Sequence, residues 1–202
     1  MVRVLAVADE EVLGFESRLR DLDVDLVLGA GDLPWSYLEQ IVRVLDVPAA
    51  FVPGNHDPDT GTVKKAGPEG FVDVDGRVAD VGGLRVAGLG GCVRYKPGPH
   101  QYTQDEYTRR GHQLTSRAGG PVDVLLTHAP PLGLGDEPDA PHQGIAALHD
   151  VLKLLRPRWH LHGHVHPHGM RKPDRQVAGT TIRNVIPWRV LNVEPLAVTS
   201  QV

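Results

Sequence analysis

Cysteine is almost absent from this chain: Cys92 is the single one in 202 residues. No internal disulfide can form, and a thiolate metal site is excluded. Aromatic residues are scarce, at 5%, so there are few platforms on which nucleobases of a single strand could stack. A surplus of basic charge is missing too. Lysine and arginine number 21 against 25 aspartates and glutamates, for a formal net charge of −4. That balance excludes a chain that coats nucleic acid through bulk charge. No basic stripe with interleaved aromatics compensates, so nucleic acid is not an expected partner. Long apolar runs are lacking as well. Residues 4–8 form an early apolar run far below the roughly 20 residues of a membrane span. They lead straight into Asp9, Glu10 and Glu11, which is wrong for a signal peptide. The expectation is a cytoplasmic protein with no membrane partner.

What is present is ordinary globular composition, 41% hydrophobic and 23% charged, over a length that favours one domain across residues 1–202. Glycine (23) and proline (17) are frequent, so loops are many and shaped. Residues 2–8, 24–28 and 49–52 read as short buried strands. Helical spacing fills 12–22 and, with Pro34 as its first residue, 34–45. This is a βαβαβ pattern with parallel strands. Residues 58–70 read as a charged Gly/Pro loop. Short strands follow over 71–90, with Gly82-Gly83 as a hairpin signal, then a long loop over 91–103. A helix over 105–117, a buried strand over 122–126, a Pro/Gly-rich loop over 129–142 and a helix ending near 155 come next. Strands over 159–162, 180–185 and 188–193 close the chain.

Each strand ends in a polar cluster, and in open α/β sheets ligands gather at the carboxyl ends of strands. Asp9-Glu10-Glu11, Gly31-Asp32, Gly54-Asn55-His56-Asp57, Thr127-His128 and Gly163-His164-Val165-His166 are therefore expected to converge. Their donors are oxygen and imidazole without thiolate, a mixture suited to Mn²⁺, Fe, Zn²⁺ or Mg²⁺. They exceed what one ion needs. Two ions about 3.5–4 Å apart, sharing a carboxylate, would use most of them and clamp a phosphoryl group.

In this order the motifs resemble the calcineurin-like metallophosphoesterases, whose pattern is D-x-H, G-D, G-N-H-D/E, a lone histidine and G-H-x-H. The resemblance covers about residues 2–193. It implies an α/β fold: a four-layer α/β/β/α sandwich of two mixed β-sheets. It further implies that Asp32 bridges two metal ions. Asp9, His166 and the residue at position 11 complete the first, and Asn55, His128 and His164 the second. By the same resemblance His56 contacts the phosphate and stabilises or protonates the leaving oxygen, Asp57 orients His56, and a metal-bridging hydroxide is the nucleophile.

The chain departs from the family at Glu11, where the pattern has histidine; it resembles a bacterial subgroup that carries Asp-Glu-Glu. On an extended segment Asp9 and Glu11 share a face, so Glu11 is expected to ligate the first ion, while Glu10 points to solvent. A third carboxylate favours Mn²⁺ or Fe, with Zn²⁺ or Mg²⁺ as alternatives. It also makes the site less positive, which leans towards diester monoanions.

Each residue has a plainer reading. Asp32 alone is a helix cap, Asn55-His56-Asp57 a turn, and His128 a satisfied buried histidine. Five histidines alternate over residues 160–168, and His160 and His162 are expected to hydrogen-bond within the sheet. Arg94, Tyr95, His100, Tyr102, Asp136 and His142 lie in loops that could flank substrate. The expected function is hydrolysis of a small phosphodiester, or a phosphomonoester. The alternative is a metal- or nucleotide-binding regulatory protein with a weakened first site.

Overall fold

The first strand, Val2–Val7 (β1), carries apolar side chains on both faces. Val4 and Ala6 join one buried cluster, and Leu5 and Val7 another. A strand apolar on both sides belongs inside a layered fold. The computed structural model describes residues 1–59, 67–170 and 172–197; part of the charged loop expected over 58–70 lies outside them.

One sheet is built from β1, Leu26–Gly29 (β2), Ala49–Phe51 (β3), Phe71–Asp73 (β4) and Trp188–Val193 (β13), in the order β13-β1-β2-β3-β4. Strands β1 to β3 run parallel, as the βαβαβ pattern predicts, β4 adds a fourth parallel strand, and β13 is antiparallel to β1. The other sheet contains Val78–Val81 (β5), Leu84–Leu89 (β6), Val124–Thr127 (β9), Trp159–His162 (β10), Arg175–Val177 (β11) and Thr180–Asn184 (β12). Its order is β11-β12-β10-β9-β6-β5, with parallel pairing at its centre. The Gly82-Gly83 signal does join an antiparallel pair, β5 and β6.

The sheets face each other across a cluster that includes Val4, Leu28, Val52, Val86, Leu126 and Leu161. Phe15–Leu19 (α1) and Trp35–Leu45 (α2) cover the outer face of the first sheet through Phe15, Leu19, Leu38 and Ile41. Gln104–Ala118 (α3) and Leu148–Leu155 (α4) cover the second through Tyr107, Leu114, Val151 and Leu155. The expected four-layer sandwich is the observed architecture.

Three local expectations change. The helix read over 12–22 shrinks to α1 because Gly14 sits at φ 68 and breaks the helical path ahead of Phe15. The loop over 91–103 contains a small parallel ribbon, Cys92–Val93 (β7) with Gln101–Tyr102 (β8). α3 starts one residue earlier than expected, at a capping box in which Thr103 and Glu106 bond each other's backbone N–H. Among the described residues, no helix is long and apolar enough to cross a membrane.

Candidate metal centre

The expected convergence occurs at the carboxyl ends of β1, β2, β3, β9 and β10. Ligand atoms of Asp9, Asp32 and His128 all lie within 4.8 Å of one another. Three residues reach the site through left-handed backbone: Asp9 at φ 61, Asp32 at φ 57 and His164 at φ 67. Each therefore ends its extended segment abruptly and turns the following residues away.

That turn corrects the reading of the acidic triplet. Alternation along a strand cannot carry past Asp9, so Asp9 and Glu11 do not share a face. Glu11 is exposed and stands outside the three-residue group. Glu10, expected in solvent, bonds His166 Nδ1 through Oε1 at 2.8 Å, while His166 Nε2 lies 3.8 Å from Asp9 Oδ1. Aspartate tolerates the left-handed region, so an acid that ends an apolar run was the available signal that the strand register stops there.

The two carboxylates are held differently. Both oxygens of Asp9 accept from the His164 backbone N–H, at 3.1 and 3.0 Å. Burial, reinforced by the Asp32 charge, pushes its pKa up to about 6 against the opposing pull of His128 and His166. Asp32 Oδ1 accepts from the His56 backbone N–H at 2.8 Å, and Oδ2 lies 3.3 Å from His128 Nε2. Burial works against the Asp32 charge too, but the His128 imidazole and these hydrogen bonds outweigh it and hold the carboxyl at about 2.

His128 is fully buried. Its Nδ1–H donates to the Ala30 carbonyl at 2.7 Å, which leaves Nε2 to face Asp32 and Asn55 Oδ1, the latter at 3.2 Å. Burial lowers its proton affinity, but Asp32 and Asp9 more than reverse that and raise its pKa to about 10. The protein thus places a positive charge where acceptors converge. The same donors, with Nε2 unprotonated, fit a divalent ion.

His164 is the opposite case. Burial and the neighbouring His128 charge push its pKa down to about 3. Its Nε2–H donates to the Pro141 carbonyl at 2.8 Å, so Nδ1 is the nitrogen left with a free lone pair. Its ring centroid lies 4.8 Å from that of His128 and 5.4 Å from that of His142.

Asp57 takes a different part from the one expected. Its Oδ2 accepts from Gly54 N at 2.7 Å and Asp32 N at 2.9 Å, and no hydrogen bond to the His56 imidazole exists among the described residues. It ties the Asp32 turn to the Asn55 turn because both backbone N–H groups lie within reach of one oxygen. His56 is exposed beside Asp32. Glycine is required where these turns touch: a Cβ on Gly54 would run into the Asp32 carboxylate, and one on Gly163 into that of Asp9.

The remaining candidates separate. His160 bonds Thr127 Oγ1 of β9 at 2.8 Å, as expected within the sheet, and Cys92 is buried, with its thiol pushed up to about 12. His162 instead contacts the carbonyl of the next residue, Gly163, through Nδ1. Arg94 turns to Glu106 and the Gln101 carbonyl, Tyr95 packs against the outer core, and Tyr102 meets Tyr107 edge to face. Asp136 braces its own loop through Gly133 N and Gly144 N. His100 bonds the Pro58 carbonyl at 3.0 Å. Of this group, His142 comes nearest to a site residue, through its ring contact with His164.

Comparison with known proteins agrees with this architecture. The structure of TT1561 from Thermus thermophilus superposes with a TM-score of 0.61 at 19% identity, covering 91% of this chain and 88% of that one. A hypothetical protein of the same organism gives 0.52 at 16% identity, over 90% and 75%. These likenesses concern the fold. An alignment of 64 positions gives 47% identity to UPF0046 protein T07D4.2 of Caenorhabditis elegans. It spans 28% of this chain and 16% of that relative. The model of the calcineurin-like phosphoesterases matches residues 8–168. That match starts one residue before Asp9 and ends two after His166, so it takes in every turn described above, and the chain belongs to the calcineurin-like phosphoesterase family.

Proposed function

We propose that this protein is a metal-dependent phosphoesterase that hydrolyses small phosphodiesters with two divalent ions. The observation that carries the reading is the convergence of Asp9, Asp32 and His128 within 4.8 Å, two buried carboxylates and an oriented imidazole from three distant turns. Asp9, Asp32 and His166 would hold one ion, and Asp32, Asn55, His128 and His164 the other. Divalent ions, when bound there, supply positive charge to a phosphoryl group and acidify water. Mn²⁺, Fe and Zn²⁺ all suit this donor set. The tilt towards Mn²⁺ or Fe expected from a Glu11 oxygen loses that support.

His56 is suited to protonate the leaving oxygen. Its backbone is anchored on Asp32 while its imidazole stays open to solvent. Asp57 keeps the two turns in register, a positioning part. The diester preference rests on charge: among the described residues, the pocket beside Asp32 and His56 is lined without lysine or arginine. A monoester dianion would find no extra cation on those walls, whereas a diester monoanion needs none.

The exposed Glu11 favours a second reading, a metal- or nucleotide-binding regulatory protein with one weak ion site. Metal content and turnover separate the two. The protein is stripped with chelator and reloaded with Mn²⁺ or Zn²⁺. Ions per chain are counted, and hydrolysis of bis(p-nitrophenyl) phosphate is compared with that of p-nitrophenyl phosphate. Two ions with faster diester hydrolysis support the enzyme. A single ion without turnover supports the regulator.

A further inference from the structure

A pocket of about 400 Å³ opens beside the site, between the turn that carries Asp32 and the turn that carries His56. Its wall has two chemistries. Asp32, His56 and Asp57 form one part; Leu33, Pro34, Trp35 and Pro58 form the rest. The second part is apolar, and three of its four side chains are rings. Among the described residues no lysine or arginine lines it, so a second phosphate or a carboxylate would meet no cation on these walls. Trp35, the first residue of α2, is half-buried, and its shielded indole Nε1–H meets no acceptor among the described residues. A buried donor without an acceptor is uncommon in folded proteins, and here it belongs to a side chain of the pocket wall.

We propose that this pocket holds one ester group of the substrate, that the group is a flat uncharged ring, and that Trp35 sets this preference. The inference rests on the phosphoesterase reading, because it is the position of Asp32 and His56 that makes the pocket an ester subsite. The ring could come from a nucleobase or from a simple aryl ester; both present a π-face to the indole. Stacking of a base on an aromatic side chain changes affinity by about 5- to 100-fold.

The test uses phosphonates, whose carbon–phosphorus bond ester hydrolysis does not break. Methylphosphonate, phenylphosphonate and 5′-deoxythymidine 5′-phosphonate are titrated calorimetrically into the Mn²⁺-loaded protein. Phenylphosphonate is expected to bind about 5- to 100-fold more tightly than methylphosphonate. That ratio is expected to fall towards one in Trp35→Ala and to survive in part in Trp35→Phe, which keeps a ring but lacks the N–H. Tighter binding of the thymidine phosphonate than of phenylphosphonate points to a base, and the reverse to an aryl group. In the Mg²⁺-loaded protein, the Trp35 indole N–H resonance, assigned by its loss in Trp35→Phe, is expected to shift with ring ligands. Those of Trp159 and Trp188 are expected to stay in place. Equal binding of methyl- and phenylphosphonate overturns the ring subsite and leaves the phosphoesterase reading intact. Binding of neither phosphonate counts against that reading. Thymidine alone then decides the pocket, and an unmoved Trp35 signal overturns it. Should Trp35→Ala fail to fold, Trp35→Phe and the resonance shift decide the question.

Discussion

Glu10 Oε1 lies 2.8 Å from His166 Nδ1, on the opposite edge of the imidazole from Asp9. A carboxylate that accepts from one ring nitrogen fixes the tautomer and leaves the other nitrogen bare, here the one that faces Asp9. Both partners are partly exposed, so the pair adds little to folding stability. Its value is in orientation. Glu10→Gln is expected to weaken the ion held by Asp9 and His166 by about tenfold, while Glu11→Gln leaves metal affinity unchanged. Competition against a fluorescent chelator measures both. Equal losses in the two variants would return Glu11 to the ligand set.

Asp32 is the carboxylate closest to His128 and also the acceptor for the His56 backbone. Asp32→Asn is expected to reduce metal content at both positions and to abolish hydrolysis. Full metal content with a normal rate in that variant would remove Asp32 as a shared ligand.

The metal-free protein is expected to lose stability in alkali. His128 is held at about 10, above its ordinary 6.5. Its contribution is complete below about 6.5 and disappears as pH rises through about 10. Asp9, raised to about 6, adds stability as pH falls from there towards 3.8. Asp32, held at about 2, withdraws its share as pH falls from about 4 to 2. Thermal melts of the chelated protein are therefore expected to peak near pH 4, to decline towards about pH 6 as Asp9 ionises and to decline further above about 6.5 as His128 loses its proton. The alkaline decline is expected to shrink in Asp32→Asn; an unchanged decline would mean that another group causes it.

His56→Ala is expected to keep its metal and lose roughly 10²–10⁴ in rate, the range of a general acid. The loss should be smaller for a nitrophenolate leaving group, which needs little protonation. Metal loss from this variant would place His56 among the ligands instead.

Gly54→Ala tests the tight approach of the two turns. The added methyl group would collide with the Asp32 carboxylate, so metal content and rate should fall together. Gly119→Ala serves as a control for a glycine that meets nothing within 4 Å but sits at positive φ; it should cost stability alone. Intact metal binding in Gly54→Ala would show that Asp32 can shift without loss.

Much of this was legible in the chain. The apolar runs with polar ends placed β1, β2, β3, β9 and β10, and period-two reasoning holds inside a strand. It fails one step beyond, at Asp9 and again at His164, because a single left-handed residue redirects everything after it. For that reason Glu10 and Glu11 exchanged places, and the strand that carries His160 and His162 does not continue through the other three alternating histidines. Asp57 was misread for another reason. Its partners are backbone N–H groups of residues 32 and 54, and spacing carries no information about backbone donors in a distant turn. Trp35 left no signal either: its importance depends on the pocket that Pro58 closes from another strand end.

The oxygen donors Asp9, Asp32 and Asn55 hang from the first sheet, while the imidazoles of His128, His164 and His166 hang from the second. Any cation bound among them is therefore a rivet through both layers of the sandwich. Even without one, the His128 bond to the Ala30 carbonyl and the His164 N–H bonds to Asp9 cross the same seam. Opening the sandwich at this edge would pull every oxygen donor away from every nitrogen donor at once. Loading the site and clamping the two sheets together are then one event, and chelation should loosen the carboxyl edge of both sheets together while leaving their far ends closed.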